Sequence, residues 1–364
     1  MIHATAAVAR GRDGTMSLEE IVIEAPRPTE VVVRMASAGV CRTDLHALAQ
    51  MDLPIVLGHE GAGHVEAVGS SVTKVAVGDP VLMTFLSCGA CPRCLRADVA
   101  YCAHFNELNF TGRRPDGSSA ISVNGEVVGG HFLGQSCFAT HALVDQRSVV
   151  RLPAGTDLHP LGPFGCGFQT GAGAVLNALR PPVGSSLAVL GAGAVGLAAV
   201  VAADMAGCDP IVAVDLDQRR LELAGCLGAT HVVDSGSTDV DEALRGAVPG
   251  GLDFVLDTTG LSALVSGAVS CLNTRGTCGI IGAGPSQELT LDWRTLLNGR
   301  TVTGIIAGNS IPELFLPRLV ELYQAGSFTV DGLIEYFPFS DVNRALMLSA
   351  QGESIKPVLT FDAP

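Results

Sequence analysis

The stretch SLAVLGAGAVGLAAVVAADMAG (186–207) constrains the fold of this chain more than any other part of it. A short apolar run is followed by the spacing G-x-G-x-x-G at Gly191, Gly193 and Gly196, and then by an alanine-rich run typical of a helix. The next apolar run, IVAVD, ends in Asp215. Strand, glycine turn, helix and strand in this order predict a dinucleotide-binding unit, in which the carboxylate accepts hydrogen bonds from the adenosine ribose.

The same alternation of apolar runs and helical segments continues beyond Asp215, with further runs at 230–234, 252–257, 276–282 and 300–306. Six strands joined by crossovers predict an α/β fold with a doubly wound parallel six-stranded sheet. The charge of Asp215 would repel a 2′-phosphate, which favours NAD over NADP. Arg219 and Arg220 leave two interpretations open, because they fit either a cofactor contact or a solvated helix face.

The segment CGACPRCLRADVAYC (88–102) carries four cysteines within fifteen positions, at Cys88, Cys91, Cys94 and Cys102. Closely spaced thiolates on short loops are typical of a tetrahedral zinc site. Four protein ligands fill the coordination sphere and leave no position for a substrate. The spacing therefore predicts a structural zinc, and the chemistry must lie elsewhere.

A second set of possible metal ligands is scattered over the motifs GVCRTDLH (39–46), GHEGAGH (58–64) and GPFGCGFQTG (162–171). One Cys2His set, the class that binds catalytic zinc with an open fourth position, is available there: Cys41, His59 and Cys166. Their wide separation makes spacing alone a weak indicator.

The neighbours of these residues strengthen the interpretation. Thr43, Asp44 and His46 follow Cys41 within a probable first helical turn, where Asp44 is suited to fix the tautomer of His59. Glu60 stands between glycine-rich turns, where a buried acid is explained best by a nearby metal or water.

Composition excludes several classes of function. The 364 residues predict two domains, and the net charge of −14 argues against binding to nucleic acid or to an anionic membrane. The most apolar stretch, 187–203, is too short to span a bilayer. The N-terminus has no export signal and the eleven cysteines are an odd number, so we expect a cytoplasmic protein without a disulfide framework.

Taken together, GVCRTDLH, GHEGAGHVEAVG, CGACPRCLRADVAYC, GCGFQTGAG and GAGAVG resemble the zinc-dependent medium-chain alcohol dehydrogenases, and the resemblance extends to the closing SIKPVLTF (354–361). The segments NFTGRRPDGSSA (109–120) and HFLGQSCFATHALV (131–144) are most similar to bacterial aryl-alcohol (benzyl alcohol) dehydrogenases. The resemblance implies a GroES-like β-rich catalytic domain at 1–167 and 307–364, interrupted by a Rossmann NAD-binding domain at 168–306. It implies two zinc ions per subunit, one catalytic and one structural.

The resemblance also implies roles for single residues. Cys41, His59 and Cys166 would bind the catalytic zinc, with Glu60 as an occasional ligand. Thr43 and His46 would form a proton relay through the nicotinamide ribose. The cofactor contacts that the resemblance implies are Arg42, Thr170, Val195 and Lys356. Arg220 is a further candidate from the residue pattern on the helix after Asp215. His64 departs from the small aliphatic residue usual at its position, and we interpret it as a surface or strand-edge change.

The resemblance implies reversible oxidation of a primary alcohol of the benzyl or allyl type to its aldehyde. Phe85, Phe110, Phe132 and Leu133 fit an apolar substrate pocket, although aromatic residues in such positions are more often part of a core. A thiol-adduct-dependent formaldehyde dehydrogenase and a non-enzymatic zinc and dinucleotide protein remain alternatives. We expect a homodimer, because 105–137 and the strand at 300–306 suit pairing across a twofold axis, with a tetramer as the alternative.

Overall fold

A computed structural model describes residues 1–284 and 288–361, and it divides the chain into two compact units. The first unit contains Met1–Gly167, Ile311–Glu321 and the chain from Asp331 onward; the second contains Phe168–Ser310 and Leu322–Val330. The resemblance places 307–364 in the catalytic domain, whereas 307–310 and Leu322–Val330 group with the second unit. In Leu322–Val330, Phe328 is fully buried and packs edge-on against Phe168 of the same unit, with ring centroids 6.4 Å apart.

The described chain forms eighteen strands. They are β1 (Ile2–Ala9), β2 (Met16–Ile23), β3 (Glu30–Gly39), β4 (Ile55–Val56), β5 (Gly61–Val68), β6 (Pro80–Met83), β7 (Ile121–Val123), β8 (Glu126–Val128), β9 (His141–Asp145), β10 (Val149–Arg151), β11 (Leu187–Leu190), β12 (Ile211–Asp215), β13 (His231–Asp234), β14 (Leu252–Asp257), β15 (Leu272–Ile280), β16 (Thr301–Gly304), β17 (Ile334–Pro338) and β18 (Lys356–Thr360).

Ten α-helices and several short 3₁₀ turns join these strands in the described residues. The helices are α1 (Arg42–Gln50), α2 (Phe105–Asn109), α3 (Gly167–Gly173), α4 (Ala194–Met205), α5 (Gln218–Cys226), α6 (Val240–Ala247), α7 (Ser262–Ser270), α8 (Trp293–Leu296), α9 (Pro312–Gln324) and α10 (Val342–Gln351). A π-helical turn at Ala174–Leu179 follows α3. None of the helices in the described residues combines the length and the apolar character needed to cross a bilayer.

The first unit contains two sheets that are almost entirely antiparallel. One has the strand order β4-β1-β2-β7-β8, and the other has the order β10-β6-β5-β3-β18-β17 with β9 also paired to β3. Strand β3 is the centre of the larger sheet, and its Val31, Val32 and Val33 are fully buried. The start of α1 directly follows β3, and β5 directly follows His59, so this sheet positions both segments of the candidate site.

The second unit contains the predicted six-stranded sheet, and all its strands are parallel. The strands lie in the order β13-β12-β11-β14-β15-β16. Successive strands are added on one side of β11 up to β13 and on its other side from β14 onward. A ligand crevice is expected at this switch point, at the carboxyl end of β11. Buried side chains from the strands and from α6 and α7 form its core, among them Val214, Leu244 and Val255. The predicted fold class is confirmed in both of its parts.

Candidate active site

Asp44 organises the start of the site. Cys41 is the N-cap of α1 and has an extended backbone, and Asp44 lies in the first turn, where its Oδ2 accepts a hydrogen bond from the Cys41 main-chain N at 3.0 Å. Its Oδ1 accepts from the Gly58 main-chain N at 3.0 Å and contacts His59 Nδ1 at 2.9 Å. A single buried carboxylate therefore fixes two separate segments and leaves His59 Nε2 as the free ring nitrogen.

The structure brings the scattered ligand set together. The side-chain donor atoms of Cys41, His59, Glu60 and Cys166 all lie within 4.8 Å of one another. His59 is 1% exposed, and its Nε2 has no hydrogen-bond partner. A buried imidazole nitrogen without a partner is costly unless it binds something, so the donor set fits a zinc ion.

The directions of the pKa shifts in this cluster also indicate that it is suited to bind a cation. The hydrogen bond from Cys166 lowers the pKa of Cys41 well below its usual range. Burial alone would lower the pKa of His59, but Asp44 and Cys41 raise it well above its usual range. The protein thus collects negative charge around one point, and a divalent ion bound there would replace the protons on the donors.

Glu60 is fully buried, and hydrogen bonds fix the orientation of its carboxylate. Lys356 Nζ contacts its two carboxylate oxygens at 3.0 and 2.9 Å, and the Gly167 main-chain N donates to Oε1 at 3.0 Å. Burial raises the pKa of Glu60 to about 7, with the charge of Lys356 acting in the opposite direction. Glu60 is therefore part of a buried ion pair beside the candidate metal ligands.

Lys356, which the resemblance implies as a cofactor contact, lies in the first unit as the partner of Glu60. It is 2% exposed, and besides Glu60 its ammonium donates to the Val40 main-chain O at 3.1 Å. These contacts occupy its three N–H donors in this structure. The contact of Lys356 with the cofactor stays a prediction.

Glycines allow the loops of the site to approach one another closely. A Cβ at Gly162 would lie 2.6 Å from the Glu60 main-chain O, and a Cβ at Gly39 would lie 2.0 Å from Glu60 Oε2. Any side chain at either position would displace Glu60. Gly162 is therefore explained by close packing of the Cys166 loop against Glu60, whereas Gly165 next to Cys166 packs against the main chain of Met83.

The proposed relay residues lie on one face of α1. Thr43 is partly buried, and its Oγ1 lies 3.6 Å from Cys41 Sγ. His46 is one turn further along and is exposed, as is Arg42. The helix therefore carries a hydroxyl beside the ligand cluster and an imidazole at solvent.

The four cysteines at 88–102 also form one cluster. Their sulfurs lie within 4.8 Å of one another, with Cys88 and Cys94 Sγ 3.8 Å apart. A tetrahedral zinc with bonds of ~2.3 Å places its sulfurs roughly 3.8 Å apart. The main-chain N of Cys91 donates to Cys88 Sγ at 3.2 Å, and that of Cys94 donates to Cys91 Sγ at 3.5 Å. Such bonds stabilise thiolates, and the donor set fits a structural zinc.

The glycine turn of the second unit fits a dinucleotide. A Cβ at Gly196 would lie 1.8 Å from the Gly191 main-chain O, whereas a Cβ at Gly193 would meet no atom within 4 Å. Gly193 is therefore not required by packing within the chain, and the space beside it at the N-terminus of α4 suits a pyrophosphate. Asp215 Oδ2 accepts a hydrogen bond from the Ala192 main-chain N at 2.6 Å, which ties the carboxylate to this turn.

The remaining predicted cofactor residues lie in the same unit. Thr170 is buried on α3, and Val195 is partly buried in the first turn of α4. Arg220 is partly buried on α5, while the exposed Arg219 is paired with Asp217 at 2.8 Å. The ion pair supports the solvated-helix interpretation for Arg219.

The structure also places His64 and the cysteines that lie outside the two clusters. His64 lies on β5 opposite Arg34 and Pro80, away from the ligand cluster, and burial lowers its pKa. The remaining cysteines form no disulfide, and Cys137, Cys208, Cys271 and Cys278 are buried.

Two features were missed by the sequence analysis. Gln135 is 1% exposed and hydrogen-bonds the main chain on both sides of Glu60. Aromatic rings also run continuously from His59 through Phe132, Phe110 and Phe105 to Phe85, with centroid separations of 5.4, 6.2, 6.2 and 5.6 Å. The phenylalanines are visible in the sequence, but only the fold puts them in a row.

Comparison with known proteins supports this geometry. Residues 27–154 match the family described as alcohol dehydrogenase GroES-like domain, and residues 194–324 match zinc-binding dehydrogenase. The chain is 40% identical to geraniol dehydrogenase of Castellaniella defragrans, over 99% of this chain and 98% of the other. It is 36% identical to alcohol dehydrogenase class-3 of Myxine glutinosa, over 99% and 98%.

Solved structures show the same relationship. The crystal structure of benzyl alcohol dehydrogenase from Acinetobacter calcoaceticus is 38% identical, with a TM-score of 0.96 and full coverage of both chains. A zinc-binding-domain alcohol dehydrogenase from Burkholderia ambifaria is 44% identical, with a TM-score of 0.97 and full coverage of both chains.

A GroES-like unit with an open Cys2His cluster, joined to a Rossmann unit, defines the class of zinc-binding dehydrogenases. This chain belongs to the zinc-dependent medium-chain alcohol dehydrogenases and is close to the benzyl alcohol dehydrogenases. These matches confirm the predicted family and the predicted class of enzyme, an alcohol dehydrogenase. They also support zinc and NAD as the cofactors.

Proposed function

We propose that the protein catalyses the NAD-dependent, reversible oxidation of a primary benzylic or allylic alcohol to its aldehyde. The observation that carries the proposal is the convergence of the partly buried Cys41 and Cys166 on the buried His59, whose Nε2 has no hydrogen-bond partner. Cys41, His59 and Cys166 would hold the metal. A bound zinc supplies a Lewis acid that raises the acidity of an alcohol hydroxyl, and a bound nicotinamide accepts the hydride.

The chain's own residues then have separate tasks. Asp44 holds His59 in the tautomer with Nε2 free, because Nδ1 hydrogen-bonds Oδ1 of Asp44. The ion pair with Lys356 restrains Glu60, so that a vertex of the metal site stays open to the substrate. Thr43 would accept the proton of the alcohol while its own hydroxyl proton leaves toward His46, whose exposed imidazole would deliver a proton to solvent.

The preference for benzylic or allylic substrates rests on the aromatic row beside His59. Phe132 is fully buried and meets the imidazole edge-on at 5.4 Å, and Phe110, 41% exposed, continues the aromatic surface outward. Flat, apolar substrates pack well on such a surface. The names of two relatives, geraniol dehydrogenase and benzyl alcohol dehydrogenase, refer to alcohols whose hydroxyl carbon adjoins an unsaturated carbon.

NAD rather than NADP follows from Asp215. Its two carboxylate oxygens accept main-chain hydrogen bonds from Ala192, Leu216 and Asp217, so the charge is fixed where the adenosine ribose would lie. A 2′-phosphate there would meet a negative charge. We expect kcat/KM to be at least ~10²-fold higher with NAD than with NADP.

One experiment tests these points together: metal analysis combined with a panel of alcohols and both dinucleotides. We expect two zinc ions per subunit and a higher kcat/KM for benzyl alcohol than for ethanol. Higher kcat/KM for ethanol would refute the substrate proposal. Formaldehyde oxidation that requires a low-molecular-weight thiol would favour the thiol-adduct alternative, and absence of turnover with every alcohol would favour a non-enzymatic role.

We also propose a cytoplasmic homodimer. All eleven cysteines are free of disulfides, which suits a reducing compartment. Strand β16 is the last strand of its sheet and is mostly exposed, and such an edge suits pairing with a second copy. Light scattering coupled to gel filtration measures the mass, and a fourfold rather than twofold subunit mass would support the tetramer.

A further inference from the structure

Gln135 holds the main chain on both sides of Glu60. Its Nε2 donates to the His59 main-chain O at 2.7 Å, and its Oε1 accepts from the Gly61 main-chain N at 3.2 Å. The side chain is 1% exposed, so water does not compete for these groups. One planar amide therefore satisfies a buried acceptor, the carbonyl of His59, and a buried donor, the N–H of Gly61, on either side of Glu60.

This contact complements the one made by Asp44. Asp44 fixes the imidazole of His59 through Nδ1, while Gln135 fixes the peptide unit from which the same side chain projects. With both ends restrained, the direction of Nε2 is set without any contact to Nε2 itself. Lys356 is nearby, but its ammonium is already bonded to Glu60. It is therefore not available to replace either hydrogen bond.

The loop that carries Gln135 is itself firmly held against the His59 segment. Ser136 Oγ donates to the Val56 main-chain O at 2.6 Å, and the main-chain N of Cys137 donates to the Gly58 main-chain O at 3.0 Å. Gly134 and Ser136, on either side of Gln135, have positive φ angles of 71° and 54°. The backbone thus adopts an uncommon conformation that turns the Gln135 amide inward.

We propose that Gln135 is a positioning residue for the catalytic metal site. It keeps His59 Nε2 directed at the point where the sulfurs of Cys41 and Cys166 converge. Only a side chain of this length with both a donor and an acceptor serves, because a carboxylate would lack a donor for the His59 carbonyl and leucine would lack both groups. This inference rests on the proposed metal site.

The test measures metal geometry and metal loss. The holoenzyme and Gln135→Leu are prepared with cobalt(II) in the catalytic site, and the visible spectrum reports the ligand geometry. The zinc forms are then exposed to the chelator dipicolinate. We expect a changed cobalt spectrum and loss of the catalytic zinc at least ~10-fold faster in Gln135→Leu, with the zinc of the four-cysteine lobe retained.

Ser136→Ala is the matched control, because it removes two equally buried hydrogen bonds from the same loop, one to Val56 O and one from Phe132 N. We expect it to lower the thermal midpoint while keeping the wild-type cobalt spectrum and rate of zinc loss. If Ser136→Ala accelerates zinc loss as much as Gln135→Leu, the effect is general loosening and the proposal is overturned. Wild-type rates and spectra in Gln135→Leu overturn it as well.

Gln135→Glu provides a second variant should Gln135→Leu fold poorly. It retains an acceptor for Gly61 N but loses the donor to the His59 carbonyl, so we expect faster zinc loss again. A wild-type rate in this variant contradicts the role assigned to the donor. If the unmodified chain holds only one zinc per subunit, the proposed metal site itself fails, which is distinguishable from a failure of Gln135 alone.

Discussion

The four-cysteine lobe and the Cys41–His59–Cys166 cluster both lie in the first unit, but their ligands are assembled in different ways. The lobe takes its four sulfurs from 88–102, and successive main-chain N–H groups donate to those sulfurs. The second cluster takes its ligands from the start of α1, from the turn before β5 and from the loop before α3. It is supported by the buried side chains of Asp44, Gln135 and Lys356.

This difference shows why only one of the two clusters is suited to chemistry. A short loop that closes on itself presents four sulfurs and surrounds the ion, so no vertex remains for a substrate. Three ligands from separate segments leave a vertex open, and the surrounding charges can be set independently of the ligands. A cluster with an open vertex therefore needs additional buried polar side chains that hold its separate ligands in place.

The largest expected effect comes from removing a ligand of the open cluster. Cys166→Ala should lower kcat/KM about 10⁴-fold, equal to about 5.5 kcal/mol of transition-state stabilisation, because the Lewis acid is lost. Metal analysis should find one zinc per subunit instead of two, with the fold retained. Cys137→Ala, which removes a buried thiol from the same region that is not in the cluster, serves as the control. Two zinc ions in Cys166→Ala would contradict the ligand assignment.

Removal of a ligand from the four-cysteine lobe should lower stability and leave activity almost unchanged. Cys91→Ala should lower the free energy of unfolding by about 4 kcal/mol, because a structural metal site contributes directly to folding. Molecules that remain folded should keep kcat/KM within a few-fold of wild type. Urea unfolding and activity per folded molecule measure the two quantities. A loss of kcat/KM as large as that of Cys166→Ala would remove the distinction between the clusters.

The two clusters also differ in how far the sequence predicts them. Cys88, Cys91, Cys94 and Cys102 are close in sequence, so their spacing alone indicates one metal, and the fold class follows equally from local patterns such as the turn at 191–196. Cys41, His59 and Cys166 were indicated only weakly by their spacing, because their separation carries almost no geometric information. Their polar neighbours and the family resemblance strengthened the assignment.

The supporting residues were the hardest to predict. Asp44 is three residues from Cys41, so its role follows from helical spacing. Gln135 is 76 residues from His59 and stands in an apolar run, where a single amide indicates no function. The pairing of Lys356 with Glu60, 296 residues away, was likewise not predicted. Pairings between distant strands decide these contacts, and local sequence does not encode them.

A smaller effect is expected on α1, which carries the proposed proton path beside the open cluster. Thr43→Ala should lower kcat about 10²-fold, the usual contribution of a positioned proton-transfer group, while two zinc ions and NAD affinity remain. Thr43→Ser, which keeps the hydroxyl, is the control. Steady-state kinetics and metal analysis measure the outcome, and wild-type turnover in Thr43→Ala would exclude the hydroxyl from the path.

The smallest effect compares a histidine beside each cluster. His131 precedes Phe132, its Nε2 has no partner, and burial lowers its pKa to about 4 from the usual 6.5. Between these values the unfolded chain binds the additional proton, so this contribution to stability is present above pH 6.5 and is lost as the pH falls toward 4. His104 follows Cys102 and is exposed, and its hydrogen bond to Glu107 raises its pKa instead.

Urea unfolding at pH 7.5 and 5.5 tests this difference. The asparagine variant His131→Asn tolerates the positive φ of 67° at this position and should reduce the loss of unfolding free energy over that interval by about 1 kcal/mol. His104→Asn should leave the pH dependence almost unchanged, because an exposed imidazole is well solvated in both states. Equal pH dependence in wild type and His131→Asn would mean that His131 takes up its proton without unfolding, and the region beside the open cluster would then be more accessible to water than its burial indicates.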